Sequence, residues 1–373
     1  MIFFVLTFLC IFGGINFYAF FRSKSVFHFS GIPQILLIFI LILLICAPIL
    51  VRVAEAYHQE FLARTIAYIG YTWMAFVFLF FFFNVTLEII VSLYKLIGKE
   101  SGFVTLRHIA FGLAVFLALG FVFYGFIDAQ KIRVKHLEVR TEKILPNNGI
   151  IRIVQISDVH VGLIIRDARL KAILDAVRET NPDILVSTGD LLDGELDNIM
   201  PQADYFISIN PKYGKYAVLG NHEYYAGIRR SLEFTKAAGF EILRDDARQA
   251  AGLNIFGADD ITGRKLGVSK DKQYFENMLT QQGNGFVLLL KHQPFVTDGE
   301  NFDLQLSGHT HGGQIFPFRY ITRLIFENNY GYYELGQNKL LYVSRGAGTW
   351  GPPVRVLAPP EITVIDLIGK KAP

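Results

Sequence analysis

The chain has 373 residues, of which 52% are hydrophobic, and a formal net charge of +3 at pH 7. This charge is too small to indicate nucleic-acid binding, and no stripe of arginines and aromatic residues accompanies it. The two cysteines, Cys10 and Cys46, are too few for a disulfide framework or a cysteine-rich zinc site.

The first third of the chain is strongly apolar. Four stretches are long enough to cross a bilayer, which takes about 20 residues each: Ile2–Phe21, Ile32–Val51, Ile66–Leu93 and Val104–Ile127. The first could be a signal peptide, but no basic segment precedes it and three similar stretches follow. We therefore expect a transmembrane helical region over residues 1–127, a basic connector over 128–149 and a separate α/β domain over 150–373.

Two features of the apolar region leave alternatives open. Glu88 lies near the end of the third stretch, where a carboxylate indicates either a functional site or a glutamate that faces another helix or the interface. Basic residues in the first and third loops favour a cytoplasmic position for those loops, which puts the domain outside the membrane. Basic residues directly after the fourth stretch favour the opposite orientation.

From residue 150 onward, apolar strands alternate with amphipathic helices. Strands are predicted at Ile151–Ser157, Asp183–Ser187 and Tyr216–Leu219, with a helix after each, a pattern typical of βαβ units and a largely parallel sheet. After Gly239 strands predominate. We therefore expect two packed sheets with helices outside them.

Polar side chains that can bind metal ions follow these strands. Asp158 and His160 stand two residues apart, as do His309 and His311, so each pair can face one point. Carboxylate, amide and imidazole groups without thiolates suit Mn²⁺, Fe or Zn²⁺. Seven such groups are too many for one tetrahedral ion, and they suit two ions about 3.5 Å apart that share a carboxylate. The predicted ligands are Asp158, His160, Asp190, Asn221, His292, His309 and His311.

In these motifs the chain resembles the calcineurin-like metallophosphoesterase family, over roughly residues 150–368. The matching blocks are Asp158–His160, Gly189–Asp193, Gly220–Glu223, His292 and Gly308–His311. Gly346–Arg355 and Pro359–Glu361 are further similar to a bacterial branch of small phosphodiesterases typified by YaeI and YkuE. The resemblance implies a four-layer fold of two packed β-sheets flanked by helices, here preceded by about four transmembrane helices, in a bacterial plasma membrane.

The resemblance also implies roles for the site residues. One ion would be held by Asp158, His160, Asp190 and His311, and the other by Asp190, Asn221, His292 and His309. His222 would not bind a metal but would contact the phosphate and protonate the leaving group. Asp193 either orients His222 or is a solvated turn residue. The two ions would neutralise the phosphoryl oxygens and activate a water near neutral pH, which predicts hydrolysis of a phosphodiester or pyrophosphate.

The substrate is less well defined by the sequence. Val161–Ile165 and Ile315–Phe326 flank the predicted ligands and are apolar, the second with Arg319 and Arg323 among its aromatic residues. Such segments either insert into a membrane surface, which predicts a lipid-linked substrate, or cover the core. A phosphodiesterase acting on soluble nucleotides and a catalytically weak membrane-anchored sensing protein are the alternatives. A transporter is disfavoured because the apolar stretches show no repeat and few charges.

Overall fold

The computed structural model describes residues 2–96, 102–146, 149–194, 199–270, 272–280, 285–297, 299–336 and 338–371. The chain forms two compact units. One comprises Met1–Asp128 together with Gly351–Val356, and the other comprises Ala129–Trp350 together with Leu357–Pro373.

The first unit is helical. Its helices are α1 (Ile2–Phe27), α2 (Ile32–Ile45), α3 (Ala47–Ala56), α4 (Glu60–Leu96) and α5 (Phe103–Gln130). Among the described residues, three helices are long and apolar enough to cross a membrane, or four if α2 and α3 form one broken span. This agrees with the expectation of about four spans preceding the domain.

The second predicted span is not a single straight helix. The axes of α2 and α3 differ by 58°, and the break lies at Cys46. Pro48 explains the bend, because its ring removes one backbone donor and clashes with the preceding turn. Close packing fixes α3 against α4, since a Cβ placed on Gly70 would lie 2.3 Å from the Cβ of Ala47.

The second unit contains two six-stranded sheets. The first sheet has the order β1 (Arg133–Leu145), β12 (Glu361–Lys371), β2 (Ile150–Ile156), β3 (Ile184–Ser187), β4 (Lys215–Ala217) and β5 (Glu241–Ile242). The second has the order β10 (Gly331–Glu334), β11 (Leu340–Val343), β9 (Leu304–Ser307), β8 (Phe286–Leu290), β7 (Leu253–Gly257) and β6 (Asp246–Ala250).

In the part of this unit that the structure describes, seven α-helices accompany the sheets. They are α6 (Asp167–Glu179), α7 (Met200–Ile207), α8 (Asn221–Tyr225), α9 (Ile228–Ala237), α10 (Ile261–Lys265), α11 (Lys272–Thr280) and α12 (Arg319–Ile325). The strands predicted from sequence form at nearly the expected positions. The polar strand β6 and the short β10, which ends the second sheet, carry no clear apolar alternation and were not predicted.

The apolar cores show why the fold has four layers. In β2, Ile151 and Ile153 pack in a core shared with Leu288 and Leu290 of the second sheet. Alternate side chains of the same strand face the other way, into a core lined by α6, α7 and α9. A third core lies between the second sheet and α11. Two mixed sheets flanked by helices therefore confirm the predicted fold class.

Strand direction places the predicted ligands at one edge of the fold. β2, β3 and β4 are parallel neighbours in the first sheet, and β7, β8 and β9 are parallel neighbours in the second. The sheets are joined near this edge, because the Gln155 side-chain amide donates to the Thr188 hydroxyl and to the Ser307 carbonyl. The segments that follow β2, β3, β4, β8 and β9 consequently meet.

Candidate metal centre

The backbone at the ends of these strands is unusual. Asp158, His160, Asp190, His309 and His311 all have positive φ, between 50° and 72°. Non-glycine residues avoid this region, and such conformations concentrate where function requires a fixed side-chain direction. Backbone hydrogen bonds hold the turns in place, with the N–H of Asp158 donating to the carbonyl of Gly189 at 3.0 Å and that of His160 to the carbonyl of Asp190 at 3.0 Å.

One group of potential ligand atoms is formed by Asp158, His160 and His311. One ligand atom from each lies within 4.8 Å of the others. The Nε2 atoms of His160 and His311 are 3.1 Å apart, and His311 Nε2 lies 3.5 Å from Asp158 Oδ1. These residues come from the segments after β2 and β9, so the group joins the two sheets.

A second group is formed by Asp190, His292 and His309. His292 Nε2 lies 3.1 Å from Asp190 Oδ2, 3.1 Å from Asn221 Oδ1 and 3.1 Å from His309 Nδ1. Asp190 Oδ2 is also 3.9 Å from His160 Nε2 of the first group. The carboxylate of Asp190 thus lies between the two groups.

The donor atoms fit divalent cations. Ligands bound at about 2.1 Å in tetrahedral or octahedral geometry are separated from each other by roughly 3.0–3.4 Å, which is close to the spacing seen in both groups. Burial lowers the pKa of His160 to about 4 and that of His309 to about 3, so both rings are neutral and keep a lone pair for a metal. Oxygen and nitrogen donors without thiolate suit Mn²⁺, Fe or Zn²⁺.

The electrostatics of the site also favour a positive charge. Burial opposes the charged form of His292, yet the carboxylates of Asp190 and Asp158 raise the pKa of His292 well above its usual value. Burial raises the pKa of Asp158 to about 6. Two fully buried carboxylates within one pocket stabilise cationic groups and repel each other, as in a site built for metal ions.

His222 lies beside both groups. Its Nδ1 atom is 3.1 Å from Asp193 Oδ1, and its ring centroid is 4.7 Å from that of His160. Burial lowers the pKa of His222, but the carboxylates of Asp190 and Asp193 outweigh this effect and raise it to about 9. The ring is therefore an imidazolium at neutral pH. His160, Asp193 and His222 also satisfy the spacing for a metal group, so geometry alone permits His222 as a ligand.

All seven predicted ligands, together with His222 and Asp193, are thus brought together. The role of Glu223 was not predicted. Its buried carboxylate accepts hydrogen bonds from the backbone N–H groups of Asp190 at 3.0 Å, Leu192 at 3.0 Å and Gly220 at 2.7 Å. It connects the segment after β3 with the start of α8. Glu223 lies three residues after the N-cap Gly220 and accepts from its N–H, which is the glutamate half of a capping box, because Gly220 has no side chain to complete it.

Comparison with known proteins identifies the family. Residues 151–313 match the sequence model of the calcineurin-like phosphoesterases. An uncharacterized metallophosphoesterase of Aquifex aeolicus is 40% identical over 260 residues, which is 69% of this chain and 99% of the relative. One from Campylobacter jejuni is 32% identical over 383 residues and covers both chains completely. The chain belongs to the calcineurin-like metallophosphoesterase family.

Some relatives of this metallophosphoesterase are named as transmembrane proteins. A Danio rerio protein named as a transmembrane protein with metallophosphoesterase domain is 31% identical over 272 residues, covering 68% of this chain and 62% of that protein. Family membership makes the chain a metal-dependent phosphoester hydrolase of a family that binds two divalent ions. The apolar helices and the named relatives together indicate membrane association.

Proposed function

We propose that the protein is a membrane-anchored dinuclear metallophosphoesterase of the bacterial plasma membrane that hydrolyses a phosphodiester or pyrophosphate bond. The observation that carries this proposal is the pair of ligand groups on either side of Asp190. In this proposal residues 1–127 form the anchor, residues 128–149 connect it to the enzyme and residues 150–373 form the catalytic domain. The similarity to the YaeI and YkuE branch is part of the same proposal.

Each ligand has an assigned place. Asp158, His160 and His311 would hold one ion, and Asn221, His292 and His309 would hold the other, with Asp190 contributing to both. Two divalent cations, when bound, would neutralise negative charge at the phosphoryl group. They would also lower the pKa of a water molecule, so that it can lose a proton near neutral pH and attack the phosphorus atom. No cysteine or serine nucleophile is needed.

The protein's own residues then manage the proton and the geometry. His222 is an imidazolium because Asp190 and Asp193 lie close to it, so it can donate a proton to the leaving oxygen. Asp193 would orient the His222 ring through the ion pair between Asp193 Oδ1 and His222 Nδ1, which are 3.1 Å apart, and Nε2 would then be the donor. Trp350 lies against the same ring, with centroids 5.9 Å apart, and limits its movement.

We further propose that the substrate is lipid-linked. The support is α12, which begins eight residues after His311 and buries none of its side chains. Leu324 is 87% exposed and Ile325 64% exposed, which is costly for a helix that faces only water. Arg319 and Arg323 on the same helix suit the anionic surface of a bilayer.

The apolar helix is linked to the site through Phe326. Its ring centroid lies 5.1 Å from that of His309 and 5.1 Å from that of Phe295, so the helix ends against a predicted metal ligand. By contrast, Val161 and Ile165 are buried in the core, and Leu163 and Ile164 between them are only partly exposed. The segment with α12 is therefore the more exposed of the two, and we propose it as the surface that brings the site to a lipid substrate.

The experiment compares substrates on the full-length protein in detergent. Metal content is measured first, and hydrolysis is then followed with bis-p-nitrophenyl phosphate and with a phospholipid diester in mixed micelles. Leu324→Ser with Ile325→Ser should lower turnover of the lipid diester by at least tenfold while leaving the soluble ester unchanged. Ile207→Ser, at an apolar position on α7 that is 54% exposed, is the control.

Three results would contradict parts of the proposal. An equal loss of lipid-diester turnover in Ile207→Ser would mean that the effect is not specific to α12. An unchanged ratio of lipid to soluble turnover in the α12 variant would remove the lipid-linked substrate and leave soluble diesters, including nucleotides. Full metal content without hydrolysis of either ester would favour the sensing protein over the enzyme.

A further inference from the structure

The helical unit contains a polar cluster that the phosphoesterase site does not use. It is built from Tyr18 and Arg22 on α1, Asn84 and Glu88 on α4, and Arg107 on α5. The carboxylate of Glu88 faces other helices and forms ion pairs with both arginines. This agrees with the expectation that Glu88 faces another helix.

The charges in this cluster do not cancel. Arg22 Nη2 donates to one carboxylate oxygen of Glu88, and Arg107 Nε donates to the other at 3.1 Å. Among the described residues, which do not include Lys99 and Glu100, two guanidinium groups on one carboxylate leave a net charge of +1. The side chains of Arg22, Glu88 and Arg107 are only 10%, 18% and 38% exposed, so an uncompensated charge here is costly.

An independent observation is the side chain of Asn84. The residue is completely buried, and its Oδ1 accepts hydrogen bonds from the Tyr18 hydroxyl at 2.7 Å and from Arg22 Nε at 3.2 Å. Its Nδ2 group is buried and has no acceptor within the part of the chain that the structure describes. A buried donor without an acceptor is destabilising, so an acceptor at this place would be stabilising.

The position of the cluster along the helices agrees with an interfacial ligand. Arg22 lies near the end of α1, Glu88 near the end of α4 and Arg107 in the second turn of α5. Lys95 and Arg107 also lie over the ring of Phe103, at 5.0 Å and 5.7 Å from its centroid, and add positive charge at the same end. Apolar helix surface with cationic ends matches a molecule that has apolar tails and an anionic head.

We propose that Arg22, Asn84 and Arg107 form a binding site for a phosphate group, supplied by the headgroup of an anionic phospholipid. A phosphodiester headgroup carries one negative charge, which balances the net charge of the cluster, and its oxygens accept from guanidinium and amide donors. Glu88 competes with the phosphate for the two guanidinium groups and thereby limits the affinity. The site does not depend on the phosphoesterase reaction.

The test uses native mass spectrometry of the full-length protein in detergent. The probes are dioleoylphosphatidylglycerol, dioleoylglycerol with the same tails but no phosphate, and inorganic phosphate. We expect saturable binding of the phospholipid and none of dioleoylglycerol. Competition by inorganic phosphate would show that the anion alone is recognised, whereas no competition would show that the tails contribute. Arg107→Gln should weaken phospholipid binding by at least tenfold.

A second variant separates ligand binding from folding. Glu88→Gln removes the competing negative charge and should tighten binding of the phospholipid, an effect that misfolding cannot produce. Arg64→Gln is the control, because this arginine lies over the ring of Tyr68, away from the cluster. Equal binding of both lipids, or weaker binding in Glu88→Gln as well as in Arg107→Gln, would overturn the proposal and reduce the cluster to an ion-pair network between helices.

Discussion

Gly220→Ala tests the geometry of the proposed bridging ligand. Gly220 precedes α8 and packs directly against Asp190. A Cβ at this position would lie 2.2 Å from Asp190 Oδ1 and 2.7 Å from the backbone nitrogen of Asp190. The carboxylate has little freedom to move away, because its Oδ1 accepts a hydrogen bond from the backbone N–H of His222 at 2.9 Å.

The size of the effect follows from these distances. An ordinary carbon–oxygen contact is about 3.3 Å, so the Asp190 carboxylate or the Gly220 backbone must shift by about 1 Å. Metal ligands tolerate deviations of only about 0.2 Å, and a displacement of about 1 Å in an active site can cost 10²-fold in rate. We therefore expect Gly220→Ala to lose one or both metal ions and at least about 10²-fold in turnover.

The assay combines metal analysis with hydrolysis of bis-p-nitrophenyl phosphate by the full-length protein in detergent. Gly112→Ala adds the same methyl group to α5, where a Cβ meets no atom within 4 Å, and should leave metal content and rate unchanged. A Gly220→Ala protein with two metals and a rate within twofold of the original would refute the reasoning, because it would show that Asp190 need not occupy this position.

Four further predictions concern neighbouring residues. Asp190→Asn should abolish activity and reduce binding of both ions, and retained turnover with two metals would refute the bridging role. His222→Ala should keep both metals but lower the rate by roughly 10²–10⁴, whereas loss of metal would make His222 a ligand. The pKa of His222 is raised to about 9, and the protonated form is the active one, so the rate should fall as pH rises. The apparent pKa of this decrease should be at or below about 9, because bound cations disfavour the imidazolium. This alkaline decrease should be absent in His222→Gln. Glu223→Gln replaces one acceptor oxygen with a donor and leaves at least one buried N–H unpaired. It should lower the free energy of unfolding by about 1–3 kcal/mol, measured by thermal unfolding. An unchanged unfolding temperature would argue against this role of Glu223.

Local sequence was sufficient for the fold class and for the choice of candidate residues. β-branched runs such as Ile151–Ile156 favour a buried strand, and the polar residues directly after each run are therefore expected at strand ends. The apolar stretches likewise predicted the helices of the first unit, because their composition leaves no polar face. The bend at Pro48 could have been predicted from the proline itself, but its angle could not.

What the sequence by itself supplied was the set of candidate ligands, because side-chain chemistry and spacing are local properties. Only the tertiary structure decided that these side chains come within ligand distance of one another, since Asp158 and His311 are separated by about 150 residues and meet only when the two sheets pack. The same holds for the three N–H groups on Glu223, for the exposure of α12 and for the ion pairs of Glu88. Each depends on a partner distant in sequence, and no local pattern records such a partner.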